Sequence, residues 1–241
     1  MLIKTKAIVL HSLKLGDSQM IVEVFTEQMG RVSLVCHISQ SAKSKIKKQF
    51  FQPLTVIALE FDYRQNVKLQ HIRDVRIALP FTSIPFDPFK LSISLFIAEF
   101  LYHATRDEQS NPPLFAYIEN SIEWLDGSQR SFSNFHLVFM MRLSRFLGFF
   151  PNLEDYREGD FFDLRNGVFI TIPPLHPDYL RPDEAAKIRL LMRMNFETMH
   201  LFAMSRQERN RCAELIIIFY RLHIPNFPDL KSLAVLKELF A

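Results

Sequence analysis

The sequence has little glycine, almost no cysteine and no long apolar run, and each shortage excludes a class of protein. Six glycines in 241 residues leave little material for a phosphate-cradling loop, and the P-loop, GxGxxG, GxSxG and HExxH patterns are all absent. Cys36 and Cys212 lie far apart and form no CxxC, so free buried thiols in a reducing compartment are expected. The eight histidines show no i, i+4 pairing and only His37 adjoins a cysteine, Cys36, so no metal site is expected. The acids Glu154, Asp155, Glu158, Asp160 and Asp163 lack the spacing and glycine of an EF-hand and read as a solvated acidic loop. No set of catalytic groups converges, so the chain reads as a non-enzyme without cofactor. No stretch reaches the length of a membrane span: LIIIFY (215–220) is short, and Glu99 interrupts the run 93–101. No apolar leader with a cleavage site opens the chain, so a cytoplasmic protein is expected. A single tryptophan stands against 24 phenylalanines, many of which must be core.

What is present is a charge asymmetry. Residues 1–79 hold 12 Lys/Arg against 6 Asp/Glu, a balance of +6, whereas residues 80–241 hold 17 against 20, a balance of −3. Such asymmetry predicts two regions with different partners, the basic one suited to phosphates.

The basic region reads as strands. IKTKAIVL (3–10), MIVEVFT (20–26) and RVSLVCHI (31–38) are separated by the turn signals Gly16-Asp17 and Gly30. Val32, Leu34, Cys36 and Ile38 alternate with Arg31, Ser33, Val35 and His37, the period of a half-buried strand. After AKSKIKK (42–48), with four lysines in six positions, LTVIALEF (54–61) and VKLQHIRDVRIAL (67–79) supply a fourth and fifth strand. Five short strands and a cationic loop predict an OB-fold barrel over residues 1–79.

Pro80, Pro85 and Pro88 then break regular structure, and the period becomes helical. Helices are predicted from Phe89 to about Thr105, from about Leu114 to Gly127, and from about Asn134 to Leu147, where Gly148 and Pro151 follow. A fourth opens at Pro182-Asp183-Glu184, a fifth at the capping box Ser205 to Glu208, and a short sixth after Asp229. Within this helical domain (80–241), FFDLRNGVFITI (161–172) carries Asn166-Gly167 between apolar runs, a hairpin signal. The fold class predicted is α+β: an N-terminal OB-fold β-barrel, then an α-helical domain with a small hairpin insertion at about 152–180.

These residues resemble a known family. AIVLHSLKLGDSQMIVEVFTEQMGRVSLV and SAKSKIKKQFFQPLTVIALEF, then HLVFMMRLSRFLGFFPNL (136–153) and LKSLAVLKEL (230–239), are similar in order and over nearly the full chain to the RecO family of bacterial recombination mediators. The resemblance implies an OB-fold domain, a helical domain and an insertion that often binds zinc through four cysteines. Residues 152–172 contain no cysteine, so zinc is not carried over. The resemblance further implies binding of single- and double-stranded DNA and annealing of complementary strands. It implies work with RecR to load RecA onto DNA coated by single-stranded DNA-binding protein, whose C-terminal tail the helical domain binds. A nucleoid-associated location follows, with no membrane partner. An RNA-binding OB-fold protein with a helical interaction domain stays open as the alternative, as do an enzyme with an interdomain site and a scaffold whose lysines bind nothing.

Lys43, Lys45, Lys47 and Lys48 fall where the family has a basic loop and are expected to contact phosphate. Arg31, Arg64 and Lys68 are supporting candidates. Lys4 and Lys6, two apart on one strand, share a face that lines the groove or meets water. Phe50, Phe51 and Phe61 are either core or base-stacking residues. Arg142 and Arg145, three apart on the third helix, with Phe139 or Phe146 beside them, would suit an acidic, aromatic-ended tail.

Overall fold

Alternation of apolar and polar side chains builds the first part of the chain. The structure, a computed structural model, describes every residue except 17, 39–45, 155, 240 and 241. Strands β1 (Leu2–Leu15), β2 (Gln19–Thr26), β3 (Gly30–His37), β4 (Val56–Asp62) and β5 (Leu69–Leu79) close into a barrel in the order β1-β2-β3-β5-β4. Four of the joins are antiparallel, and the fifth is a short parallel pairing of β3 with β5 through Ser33–Leu69, Leu34–Gln70 and Val35–His71. This is the OB-like barrel expected from the sequence. Strand β1 is longer than the run 3–10 suggests because it serves two neighbours, β4 through residues 2–8 and β2 through residues 7–15. The register shift between Val9 and His11 bends it from one to the other.

Val22, Val24, Leu34, Leu59 and Phe61 point into the barrel and are essentially inaccessible. Phe51, in the 3-10 turn Lys48–Phe51, joins them. Phe51 and Phe61 are therefore interior side chains, and Phe50 is half-buried against the same core.

The helices start and stop where local chemistry predicts. Asp87 caps α1 (Pro88–Ala104) by accepting from the amides of Phe89 and Lys90, with Pro88 in the first turn. Next come α2 (Pro112–Gly127) and α3 (Phe135–Phe146). At the end of α3, Gly148 has φ +85° and the amide of Phe149 donates to the Ser144 carbonyl, a Schellman closure. The insertion is a three-stranded sheet of β6 (Phe161–Asp163), β7 (Val168–Ile170) and β8 (Tyr179–Leu180), of which the sequence announces only the hairpin. Then follow α4 (Pro182–Arg193), α5 (Arg206–His223) with the capping box of Ser205 and Glu208 formed, and α6 (Lys231–Leu239).

The chain divides into two compact units, Met1–Gly127 with Leu230–Leu236, and Ser128–Asp229 with Lys237–Ala241. In the first, α1 and α2 accompany the barrel. The proline-rich connection 80–88 is fixed by Asp126, whose carboxylate accepts from the amides of Thr82, Ser83 and Ile84 and from the Thr82 hydroxyl. Burial alone would raise this carboxyl, but the backbone amides and the hydroxyl outweigh it and hold it down at about 2. Beside it the buried Lys90 ammonium donates to the Ser83 hydroxyl and to the Asp126 carbonyl. In the second unit, Phe149 stacks on His223 and meets Tyr220 and Phe219 edge-on, and Phe162 packs against Phe169 and Phe219. The abundance of phenylalanine is thus spent on core.

Two outcomes follow. Gly30, in the β2–β3 turn, has φ +67°, and a Cβ there would lie 2.3 Å from the backbone of Gln109. Gly30→Ala is expected to cost about 1–3 kcal/mol, read as a lower denaturant midpoint. Because Asp126 is depressed in the folded state, its stabilisation is complete above the unfolded carboxyl value of about 3.9. That stabilisation, on the order of 2 kcal/mol, fades as pH falls towards about 2. Asp126→Asn is expected to lower stability at pH 7 and to flatten the loss between pH 4 and pH 2 in acid titrations of unfolding.

Candidate nucleic-acid interface

An OB-fold receives oligonucleotides on the face of its second and third strands, between the loop joining strands 1 and 2 and the loop joining strands 4 and 5. On this barrel the parallel join of β3 to β5 covers only residues 33–35 of β3, so the first residues of β3 diverge from β5 and leave a gap. The β4–β5 loop, residues 63–68, borders it. The result is a cleft of about 360 Å³ lined by Arg31, Ser33, Tyr63, Gln65, Val67 and Lys68, with Met29, Val32 and Gln70 completing its wall. Among the described residues no carboxylate lines it.

The loop is held in shape from beneath. The buried Gln70 side chain accepts from the Arg64 amide and donates to the carbonyls of Arg64 and Val67. Tyr63 is fixed on both sides, its amide donating to the Met1 carbonyl and its carbonyl accepting from the Met1 amino group. The Tyr63 side chain is half-buried against the barrel core, while Arg64, Gln65, Val67 and Lys68 are exposed.

The predicted residues distribute unevenly. Arg31 and Lys68 come together in this cleft. Arg31, however, is largely buried. Its guanidinium donates to Glu23 (3.2 Å) and to the Tyr102 carbonyl (3.2 Å) and lies 4.4 Å from the centre of the Tyr102 ring. Burial pushes the guanidinium below its ordinary value, and Glu23 opposes the shift. Arg31 therefore acts as a clamp between the barrel and α1, and the cation of the cleft that reaches water is Lys68. Arg64 is exposed on the same loop. Neither Arg64 nor Lys68 enters an ion pair formed among the described residues.

Lys47 and Lys48 are exposed at the start of the 3-10 turn, and Lys43 and Lys45 lie outside the described residues. Lys4 and Lys6 share the outward face of β1, as their spacing predicts, but each is engaged: Lys4 with Glu60 on β4 at 2.8 Å, and Lys6 with Glu119 on α2 at 2.8 Å. They do not join the cleft lining.

The four residues of the helical-domain group meet different surroundings. Phe139 is wholly buried and stacks on Phe135. Arg142 donates twice to the Met194 carbonyl, from Nε at 3.0 Å and Nη2 at 2.8 Å. Phe146 is half-buried, and Arg145 is exposed with its guanidinium 4.5 Å from the centre of the Phe150 ring. Tyr63, Gln65 and Phe150 are the residues sequence reading missed. The signal for Tyr63 was an aromatic directly before the polar turn RQN.

Among its described residues the insertion does not fit a zinc ion. Asp163 is committed to closing the hairpin, accepting from the amides of Arg165 and Asn166 and from the Asn166 side chain. The only thiols are elsewhere, Cys36 in the barrel and Cys212 on α5, and burial pushes both up to about 11. Among the described residues no group of His, Cys, Asp and Glu is arranged to hold a metal, and no helix is long and apolar enough to cross a membrane.

Comparison with known proteins bears on both units. Residues 1–81 match the family model described as Recombination protein O N terminal, and residues 85–234 match Recombination protein O C terminal. A protein of Phocaeicola vulgatus named DNA repair protein RecO is 56% identical over 241 residues, which is 100% of each chain. Proteins of the same name from Azobacteroides pseudotrichonymphae and Porphyromonas gingivalis are 39% and 32% identical, again over 100% of each chain.

The division of labour between the two cations of the cleft is testable. Arg31→Ala leaves Glu23 unpaired and is expected to cost about 1.5–3 kcal/mol in urea unfolding. Lys68→Ala is expected to stay within about 0.5 kcal/mol of the parent and to weaken binding to oligonucleotides. Equal stability of both variants would show that Arg31 is not a clamp.

Proposed function

The chain belongs to the RecO family of DNA repair proteins, and from that premise we propose that it is a DNA-binding recombination mediator rather than an enzyme. In this reading it binds single- and double-stranded DNA, anneals complementary strands, and acts with RecR to load RecA onto DNA coated by single-stranded DNA-binding protein. Residues 1–79 are its nucleic-acid-binding domain. Residues 80–241 form the helical domain, with the cysteine-free insertion at about 152–180 in place of the family's zinc-binding lobe. It works in the cytoplasm at the nucleoid.

The observation that carries this reading is the cleft between β3 and the β4–β5 loop, which no carboxylate lines among the described residues, with Lys68 at its edge and Arg64 on the bordering loop. Lys47 and Lys48 add exposed positive charge in the same domain. Phosphate contact asks for cations rather than fixed geometry, so these exposed side chains suffice. In the helical domain Arg145, exposed beside Phe150, is the residue of the α3 group best suited to the acidic tail of single-stranded DNA-binding protein.

Annealing of complementary strands coated with the cognate single-stranded DNA-binding protein tests the function, with a tail-less form of that protein as control. Acceleration that depends on the tail is expected. Competition between DNA and RNA oligomers of equal length separates this reading from an RNA-binding one, because RNA recognition would depend on the 2′-hydroxyl. Replacing Lys43, Lys45, Lys47 and Lys48 by Ala is expected to weaken binding to all sequences alike. Each lost phosphate contact should flatten the log–log salt dependence by roughly 0.7 for single strands and about 0.9 for duplex. Unchanged affinity and unchanged slope would mean that the lysines only face solvent.

A further inference from the structure

We propose that the cleft between β3 and the β4–β5 loop is a seat for a single unstacked nucleobase, with the Tyr63 ring as its stacking platform. The inference rests on the DNA-binding reading and adds to it a residue and a selectivity, since such a seat distinguishes single strands from duplex.

Three observations carry it. The first is size and lining. The space of about 360 Å³ is at the small end of ligand sites. A single base fits such a space, whereas a duplex, whose major groove alone is about 12 Å wide, does not enter it. Its lining combines Tyr63, Val67, Gln65 and Ser33 with the cations Arg31 and Lys68, and with no acid among the described residues. That mixture matches a base: a π face to cover, polar edges to pair, and a phosphate to neutralise.

The second is preorganisation. Tyr63 is anchored through both backbone groups to Met1, and the loop behind it is braced by three hydrogen bonds from Gln70. A loop fixed before the ligand arrives loses little entropy on binding. The third is the geometry of charge. Lys68, exposed, lies at the end of the same loop, so a base resting on Tyr63 would leave its phosphate within the field of a cation that reaches water. Of the phenylalanines considered for stacking, Phe51 and Phe61 are interior, and Phe50 does not line the cleft.

The test uses the full chain and three variants at Tyr63. Tyr63→Phe keeps the ring. Tyr63→Leu keeps apolar bulk against the barrel core and removes the π face. Tyr63→Ala removes both. Binding is measured to an oligothymidine carrying one 2-aminopurine, whose fluorescence reports stacking, and to a duplex of equal length. Tyr63→Phe is expected to bind as the parent does. Tyr63→Leu should bind the single strand about 5- to 150-fold more weakly, with altered 2-aminopurine fluorescence, unchanged duplex affinity and an unchanged salt slope. Equal losses for single strand and duplex in Tyr63→Leu would overturn the base seat, as would no loss at all. If Tyr63→Leu binds normally while the four-lysine variant flattens the salt slope, the inference falls and the DNA-binding reading stands. If the parent binds neither DNA, both fall.

Discussion

Closure of the barrel through three residue pairs between β3 and β5 is the constraint on which the rest of the first unit depends. A five-stranded antiparallel meander would leave two edges open to any other strand. Bringing β5 alongside β3 in parallel removes them, but the strands can meet only over Ser33, Leu34 and Val35 before their directions diverge. The cleft is what that short join leaves uncovered. Its polar wall is tolerable because Gln70 and the Met1 backbone satisfy the loop's own polar groups.

The same frame explains why a cation predicted for DNA became structural. An outward position on an alternating strand normally meets water, and Arg31 alternates as expected. Here the segment after α1 covers the turn: the Arg31 amide donates to the Glu108 carbonyl, Gly30 sits against Gln109, and Tyr102 receives the guanidinium. A covered arginine must find partners, and Glu23 and Tyr102 provide them.

Local features were legible because their causes are local. The alternation in β3, the asparagine–glycine turn of the insertion, the Ser205 cap and the glycine after α3 all appear where sequence reading expects them. Features set by distant partners were not. The parallel β3–β5 join and the third strand β8 each depend on residues far away in the chain. The candidate interface followed the same rule. The exposed cations were readable as such, whereas Tyr63 and Gln65 matter only because the barrel closes beside them.

The most direct measurement of the central claim is where DNA touches the protein. Ultraviolet crosslinking of an oligothymidine to the full chain, followed by peptide mapping, reads this without any variant. The account predicts crosslinks in the β4–β5 loop, residues 63–68, and at the start of β3, with Tyr63 foremost. Crosslinks confined to the second unit, or to the outward face of β1 around Lys4 and Lys6, would contradict it.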